Sequence, residues 1–232
     1  MEIRFFKKSE RQLLLDSIDR LWKHNHVYVR QPEVLEDLIL HTPYRVNFAG
    51  ENNYSYVVMW DDSGNVVGIY GSIPQIFNIL GKQYQSETAT TWLVDKNCGK
   101  RFNGLALREF CYSKGIDTAV YFGLSNEAYR INDAYGAYMT RDFPRWIGVR
   151  NKNTVMQRLL PQSTPSNILP LIHIANTNAA YKIETDELRQ DKWDEFYLSQ
   201  IAPFTVGTQR DYKFLKWRYM DSPILKYSNT NL

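Results

Sequence analysis

Cysteine is scarce in this chain of 232 residues: there are two, Cys98 and Cys111. They lie too close to staple a long loop and lack the paired spacing of a four-ligand zinc site, so both are read as free thiols. Long apolar runs are missing as well. The stretch Met1-Glu2-Ile3-Arg4-Phe5-Phe6-Lys7-Lys8 has no hydrophobic segment behind it, which excludes a signal-peptide pattern and a membrane span and makes the cytoplasm the expected location. Charge of one sign is lacking too. The 28 basic and 25 acidic residues leave a formal charge of +3, with the basic residues scattered, so nucleic acid is not an expected partner. No Gly-Lys-[Ser/Thr] follows a glycine loop, no Gly-x-Ser-x-Gly occurs, and no histidine has Asp, Glu or Cys at ligand spacing. A nucleotide P-loop, a serine-hydrolase elbow and a metal site are therefore not expected.

What is present is the composition of a globular protein: 44% hydrophobic and 23% charged residues, with aromatics at 14% and 16 tyrosines among them. The aromatics are read as filling strands and their crossings. The length predicts one complete domain plus an appendage. Residues 2 to 8 read as a strand. Ser9 with Gln12 forms a capping-box pattern ahead of Leu14, Ile18, Leu21 and Trp22 at helical spacing, and Val34, Leu35, Leu38 and Ile39 suggest a second helix ending near Pro43. Tyr54 to Trp60 and Val66 to Ile73 flank the turn residues Asp61-Asp62-Ser63-Gly64-Asn65 and predict a hairpin. Glu87 to Val94 predicts a third strand. Leu105, Leu107, Phe110 and Cys111 predict a helix closed by Gly115, Ala119 to Leu124 a buried strand, and Asn126 to Ala134 a further helix.

The third strand and the helix after it enclose Arg101-Phe102-Asn103-Gly104-Leu105-Ala106. A pyrophosphate needs converging backbone N–H groups, a close approach by the main chain and a helix N-terminus behind it. Gly104 permits the approach, Ala106 keeps the next position small, and the helix supplies the dipole. This segment resembles the [Arg/Gln]-x-x-Gly-x-[Gly/Ala] signature of the GNAT acyltransferases, and the order of elements over roughly residues 1 to 155 is similar to that family. The run Leu21-Trp22-Lys23-His24-Asn25-His26, with the glycine-rich strand from Gly68 that ends at Pro74, resembles a GNAT subgroup of cell-surface polysaccharide assembly.

The resemblance implies an α/β (α+β) fold with a central mixed sheet flanked by helices, and acetyl-CoA as co-substrate. It implies an amino sugar, usually nucleotide-linked, as acceptor. The donor-binding residues implied are Leu93 and Val94, near a β-bulge that splays two strands and frees N–H groups for an oxyanion, then Arg101 to Ala106, and Asn126 with Tyr129. Glu87 is the implied base because it is the only carboxylate on that strand before Asp95. The family tyrosine that protonates the departing thiol falls on Asn132; Tyr135 is the nearby catalytic candidate, although it and Tyr129 point to other helix faces, and water is the alternative proton source. His26 is the candidate acceptor ligand, against the commoner fate of capping or packing. Downstream, Tyr181 to Glu184, Asp186 to Leu198 and Arg210 to Tyr219 repeat the opening order of elements. The expected boundaries are an acyltransferase domain at 1–160, a connection at 161–178 and a partial second GNAT-like repeat at 179–232. A truncated repeat would expose strand edges, so it is expected to pack on the first domain or in a homodimer. Two other readings fit the repeat and the missing tyrosine: an aminoacyl-tRNA-dependent transferase of the peptidoglycan-bridge type, and a non-catalytic interaction module.

Overall fold

A computed structural model describes residues 1–98, 103–139 and 188–222. The chain divides into two compact units, Met1–Leu124 with Asp186–Asn229, and Ser125–Thr185 with Thr230–Leu232. The first unit carries a six-stranded sheet. Strands β1 (Glu2–Lys7), β2 (Asn53–Trp60), β3 (Val66–Ile79), β4 (Lys82–Val94) and β5 (Thr118–Tyr121) lie in that order, and β6 (Val206–Thr208) pairs with β3. All pairings are antiparallel except β4 with β5, which is parallel. The fold is thus mixed α/β with a mostly antiparallel central sheet flanked by helices.

Alternation of side chains along each strand gives the sheet two apolar faces. On one, Tyr54, Tyr56, Val58 and Ile69 pack against Leu14 and Ile18 of α1 (Arg11–Leu21) and Leu35 and Ile39 of α3 (Pro32–Ile39). The short α2 (Val27–Arg30) lies between those helices in sequence. On the other face, Val57, Met59 and Tyr70 pack against Phe48 of α4 (Arg45–Ala49) and Leu107 and Cys111 of α5 (Asn103–Tyr112). The capping pattern expected at Ser9 and Gln12 is replaced by Glu10, whose carboxylate accepts from the Lys7 N–H at 2.8 Å and also holds Arg4. A carboxylate accepts more strongly than a neutral group, so it wins the orphan donor.

The glycine-rich strand does not end at Pro74. β3 continues to Ile79 and turns back through Leu80 and Gly81, whose φ values of 50° and 88° make the two-residue turn that matches strand twist. Pro74 is tolerated because its edge faces a gap, after β2 leaves at Gly71 and before β6 joins at Phe77. Inside the gap, the Ser72 carbonyl accepts from Ser55 Oγ (2.6 Å), Pro74 from Thr42 Oγ1 (3.0 Å) and Ile76 from the Gln209 N–H (2.8 Å). Strand β6 is held by Asn78, whose amide donates to the carbonyls of Ala202 (2.8 Å) and Thr205 (2.7 Å).

The carboxy-terminal segment adds α7 (Gln190–Phe196), extended by a π-helical turn, and α8 (Tyr212–Leu215). Trp217 donates its indole N–H to the Asp37 carbonyl at 2.8 Å, and the Tyr44 hydroxyl donates to Asp211. These residues belong to the first unit and extend its sheet and its helical cover. The strand expected at Tyr181 to Glu184 lies outside the described residues. Within the second unit, α6 (Asn126–Ala134) is capped by Ser125, whose Oγ accepts from the Ala128 N–H at 3.2 Å.

Candidate functional site

Strands β4 and β5 run side by side only from Ser86 with Thr118 to Ala89 with Tyr121. Immediately beyond, β4 carries an extra residue against β3: Gly71 faces Thr91 while Ser72 faces Ala89, which leaves Thr90 as a bulge. The bulge expected near Leu93 and Val94 therefore lies several residues earlier. A physical reason is visible in Tyr56, whose ring crosses over Gly71 and whose hydroxyl is bonded to Thr91. A Cβ on Gly71 would lie 2.4 Å from that ring and 2.5 Å from Thr90 Oγ1. Among the described residues, no strand pairs with the outer edge of β4 beyond Ala89. Leu93 packs toward α1 and Val94 toward α5, both half-buried.

Beyond β4 the chain re-enters the described residues at Asn103, the first residue of α5. Arg101 and Phe102 of the expected donor loop lie outside the described residues. Gly104 carries a duty the sequence did not reveal: the Trp92 indole donates to the Gly104 carbonyl at 2.8 Å, and a Cβ there would sit 3.0 Å from the indole nitrogen. Leu105 and Ala106 are half-buried, Ala106 against the α5-side core.

Glu87 is fully buried rather than solvated at a strand edge. It lies beneath α5, where Arg108 and Cys111 interact with it, and β5 closes the strand edge by pairing Glu87 with Ala119. Its carboxylate accepts from the Tyr70 hydroxyl at 2.6 Å and from Ser72 Oγ at 2.5 Å. Burial raises its pKa, while these two bonds and the Arg108 charge oppose the rise. The Tyr70 phenol is likewise driven up by burial and by the adjacent carboxylate. Arg108, on α5, is 2% exposed, with its guanidinium 5.8 Å from the Trp92 ring and 5.5 Å from the Tyr112 ring. Sequence reasoning missed Arg108, although its spacing from Leu105 and Cys111 puts it on the inward stripe of that helix. It also missed Tyr121, whose hydroxyl lies 3.2 Å from that of Tyr112.

His26 is accounted for by packing and capping. Its Nδ1 accepts from the Tyr28 N–H at 3.3 Å at the start of α2, and its ring stacks on Trp22 at 4.0 Å. Desolvation, then Lys23 and Arg30, lower its pKa. Trp22 serves this stack at 39% exposure instead of entering the core. In the second unit, Asn126 is the exposed first residue of α6, with Ser125 as its cap, and Tyr129 lies in the first turn. Asn132 is buried and donates to the Ala128 carbonyl at 2.8 Å, whereas Tyr135 stands at the helix end, 58% exposed.

An open groove of about 1150 Å³ lies at the carboxyl end of β4, lined by Asp19, Arg20, His24, Asn65 and Asp95 among others. It is separated from the Thr90 bulge by the rest of the strand, roughly 16 Å at ~3.3 Å per residue.

No protein-family model and no curated protein matches the sequence. Solved structures with a similar arrangement include a Trypanosoma brucei acetyltransferase, with 15% identity, 63% of this chain and 98% of that chain covered, and a TM-score of 0.42. Another is glucosamine-6-phosphate N-acetyltransferase from Arabidopsis thaliana, with 12% identity, coverages of 65% and 98%, and a TM-score of 0.43. A third is an aminoglycoside acetyltransferase from an uncultured soil metagenomic sample, with 14% identity, coverages of 64% and 97%, and a TM-score of 0.44.

Proposed function

We propose that the chain is an acyl-CoA-dependent N-acyltransferase, with acetyl-CoA as donor and the amino group of a sugar as acceptor. The observation that carries the reading is the fork at Ala89, where β5 parts from a bulged β4 whose outer edge beyond that point pairs with no strand among the described residues. Such an edge suits the amide-bearing arm of the donor, which adds to it as a strand would. The pyrophosphate then falls at the N-terminus of α5, among Asn103 to Ala106 and the preceding Arg101 and Phe102, and the thioester falls at the fork. Backbone N–H groups of the bulge at Thr90 and Thr91 take the place of Leu93 and Val94 as oxyanion donors.

In the reaction, the neutral amine forms its bond to the thioester carbon, the C–S bond breaks, and the sulfur leaves with the electron pair. Glu87, enclosed by Tyr70 and Ser72, acts as a proton acceptor through these hydroxyls rather than by touching the amine. A pKa moved upward from the usual carboxylate range brings it closer to that task. His26, which caps α2 and stacks on Trp22, is the acceptor ligand in this reading. Polysaccharide assembly as the setting rests on the amino-terminal resemblance. The test is a thiol-release assay with acetyl-CoA against a panel of amino sugars, free and nucleotide-linked, alongside thermal shift with acetyl-CoA alone. Stabilisation by the donor and thiol release with one sugar class support the reading; no shift at millimolar acetyl-CoA overturns it. Arg101→Ala is the variant of choice for the loop, because a side chain at Gly104 strikes Trp92 and confounds packing with binding.

A further inference from the structure

We infer that β6 is an interface between two copies of this chain: its outer edge pairs antiparallel with the same edge of a second copy, about a two-fold axis at Gly207. The inference stands apart from the acyltransferase reading. The Gln209 N–H donates to the Ile76 carbonyl and the Leu80 N–H to that of Thr205, so the main-chain bonds between β6 and β3 fall at Thr205, Gly207 and Gln209. The N–H and C=O groups of Val206 and Thr208 therefore point the other way, to an edge that pairs with no strand among the described residues. That edge is unguarded. Val206-Gly207-Thr208 holds neither charge nor proline, the usual devices against edge-to-edge pairing. Val206 is 63% exposed beside Ile79, and Phe204, just ahead of the strand, is 77% exposed.

A second copy is the occupant because the edge is complementary to itself. Turned about Gly207, Val206 of one copy faces Thr208 of the other, and each such pair exchanges both of its N–H···O=C bonds. Val206 shares a face with its neighbour Ile79, and the pairing carries that row onto Thr208 and Phe77 of the second copy. The same register brings Phe204 toward the other copy's exposed Arg210, a cation for the face of its ring. Gly207 has no positive φ, and a Cβ on it would meet nothing within 4 Å. Neither a turn nor packing within one chain calls for glycine there, whereas a second backbone drawn up to it does. An edge of three residues is short, so the contact falls at the weak end of the ~1,200–2,000 Å² that stable interfaces bury, and the dimer forms as concentration rises.

Sedimentation velocity of the full chain from about 1 to 300 μM reads the association, with monomer expected at the low end and a growing share of dimer toward the high end. Val206→Lys puts a charge on the edge, and Val206→Pro removes an N–H that points away from β3. Each should raise the dimer Kd at least about 10-fold and leave the melting temperature of the dilute chain near wild type. The register is read by cysteine pairs in a Cys98→Ser background. Across the two-fold the Gly207 Cα atoms face each other at about 4.5 Å, within disulfide reach, whereas the Thr208 positions are diagonal at ~7–8 Å and beyond it. Gly207→Cys should therefore form a covalent dimer under mild oxidation, and Thr208→Cys should not. A wild-type chain that stays monomeric across the range, a Kd unchanged in both Val206 variants, or crosslinking at Thr208→Cys in preference to Gly207→Cys overturns the inference. The acyltransferase reading stands or falls separately, by its thiol-release assay.

Discussion

At the scale of the residue, Glu87 sets function against stability. A carboxyl whose folded pKa lies above its unfolded value is more stably folded when protonated; its contribution is full below the ordinary carboxylate pKa and is lost as pH rises through the folded one. Glu87→Gln keeps the shape, and either hydroxyl neighbour can turn to accept from the new amide. The expected outcome is a Tm above wild type at pH 8, a gap that shrinks toward pH 5, and lower acyl transfer throughout; a melting series across that range checks it. Gly71 is the second residue on which the site depends. Gly71→Ala forces the buried Tyr56 ring and the bulged Thr90 apart and should cost about 1–3 kcal/mol, measured by denaturant unfolding. Part of this was legible in sequence, since Glu87 was singled out as the lone carboxylate of its strand. Its burial was not, because that is decided by α5 over the side chain and by β5 at the strand edge, both of which come later in the chain.

At the scale of the element, the helices and strands with clear periodicity were readable, and the ends that depend on distant partners were not. The run from Asn126 to Ala134 matches α6 at both bounds, because Ser125 and Gly136 punctuate it locally. β3 was cut short at Pro74 because proline normally stops a ladder, and only the gap between β2 and β6 makes it harmless. The turn at Leu80 and Gly81 was hidden because leucine is an unusual choice at a positive φ. That choice gives a prediction: Leu80→Asn should stabilise the hairpin by about 0.5–1 kcal/mol, since asparagine tolerates this region better and Leu80 is 62% exposed. Equilibrium unfolding is the check, with a destabilised variant as the contrary result. The bulge was foreseen as a feature but misplaced, because Tyr56 and Gly71, not the sequence of β4 itself, fix where the extra residue goes.

At the scale of the whole first unit, the segment from 188 to 222 extends the sheet and its helical cover. The described part of the segment read as a second copy of the opening elements supplies an edge strand and side-chain anchors to β3 and α3. Asn78 is the hinge pin of that attachment, with three donations to Ala202 and Thr205 and an acceptor for the Gly81 N–H. Asn78→Ala should cost about 2–3 kcal/mol, the expense of a buried amide's lost partners. The loss should appear as faster amide exchange from Thr205 to Trp217, with β2 protected as before. Uniform loss of protection across the sheet would mean that the segment and the sheet unfold as one.

The pairing of β3 with β6 also sets a timetable for synthesis. Asn78 and its partner Ala202 are 124 residues apart. At ~5–20 residues per second, the ribosome delivers the second of them about 6–25 s after the first. Through that interval the proline-interrupted arm of β3 is paired with β4 on one side only, and its other edge stands open, an invitation to other chains. The proline that seemed to end the strand then acts as a guard, since a neighbouring nascent chain cannot zip past a residue with no N–H to offer.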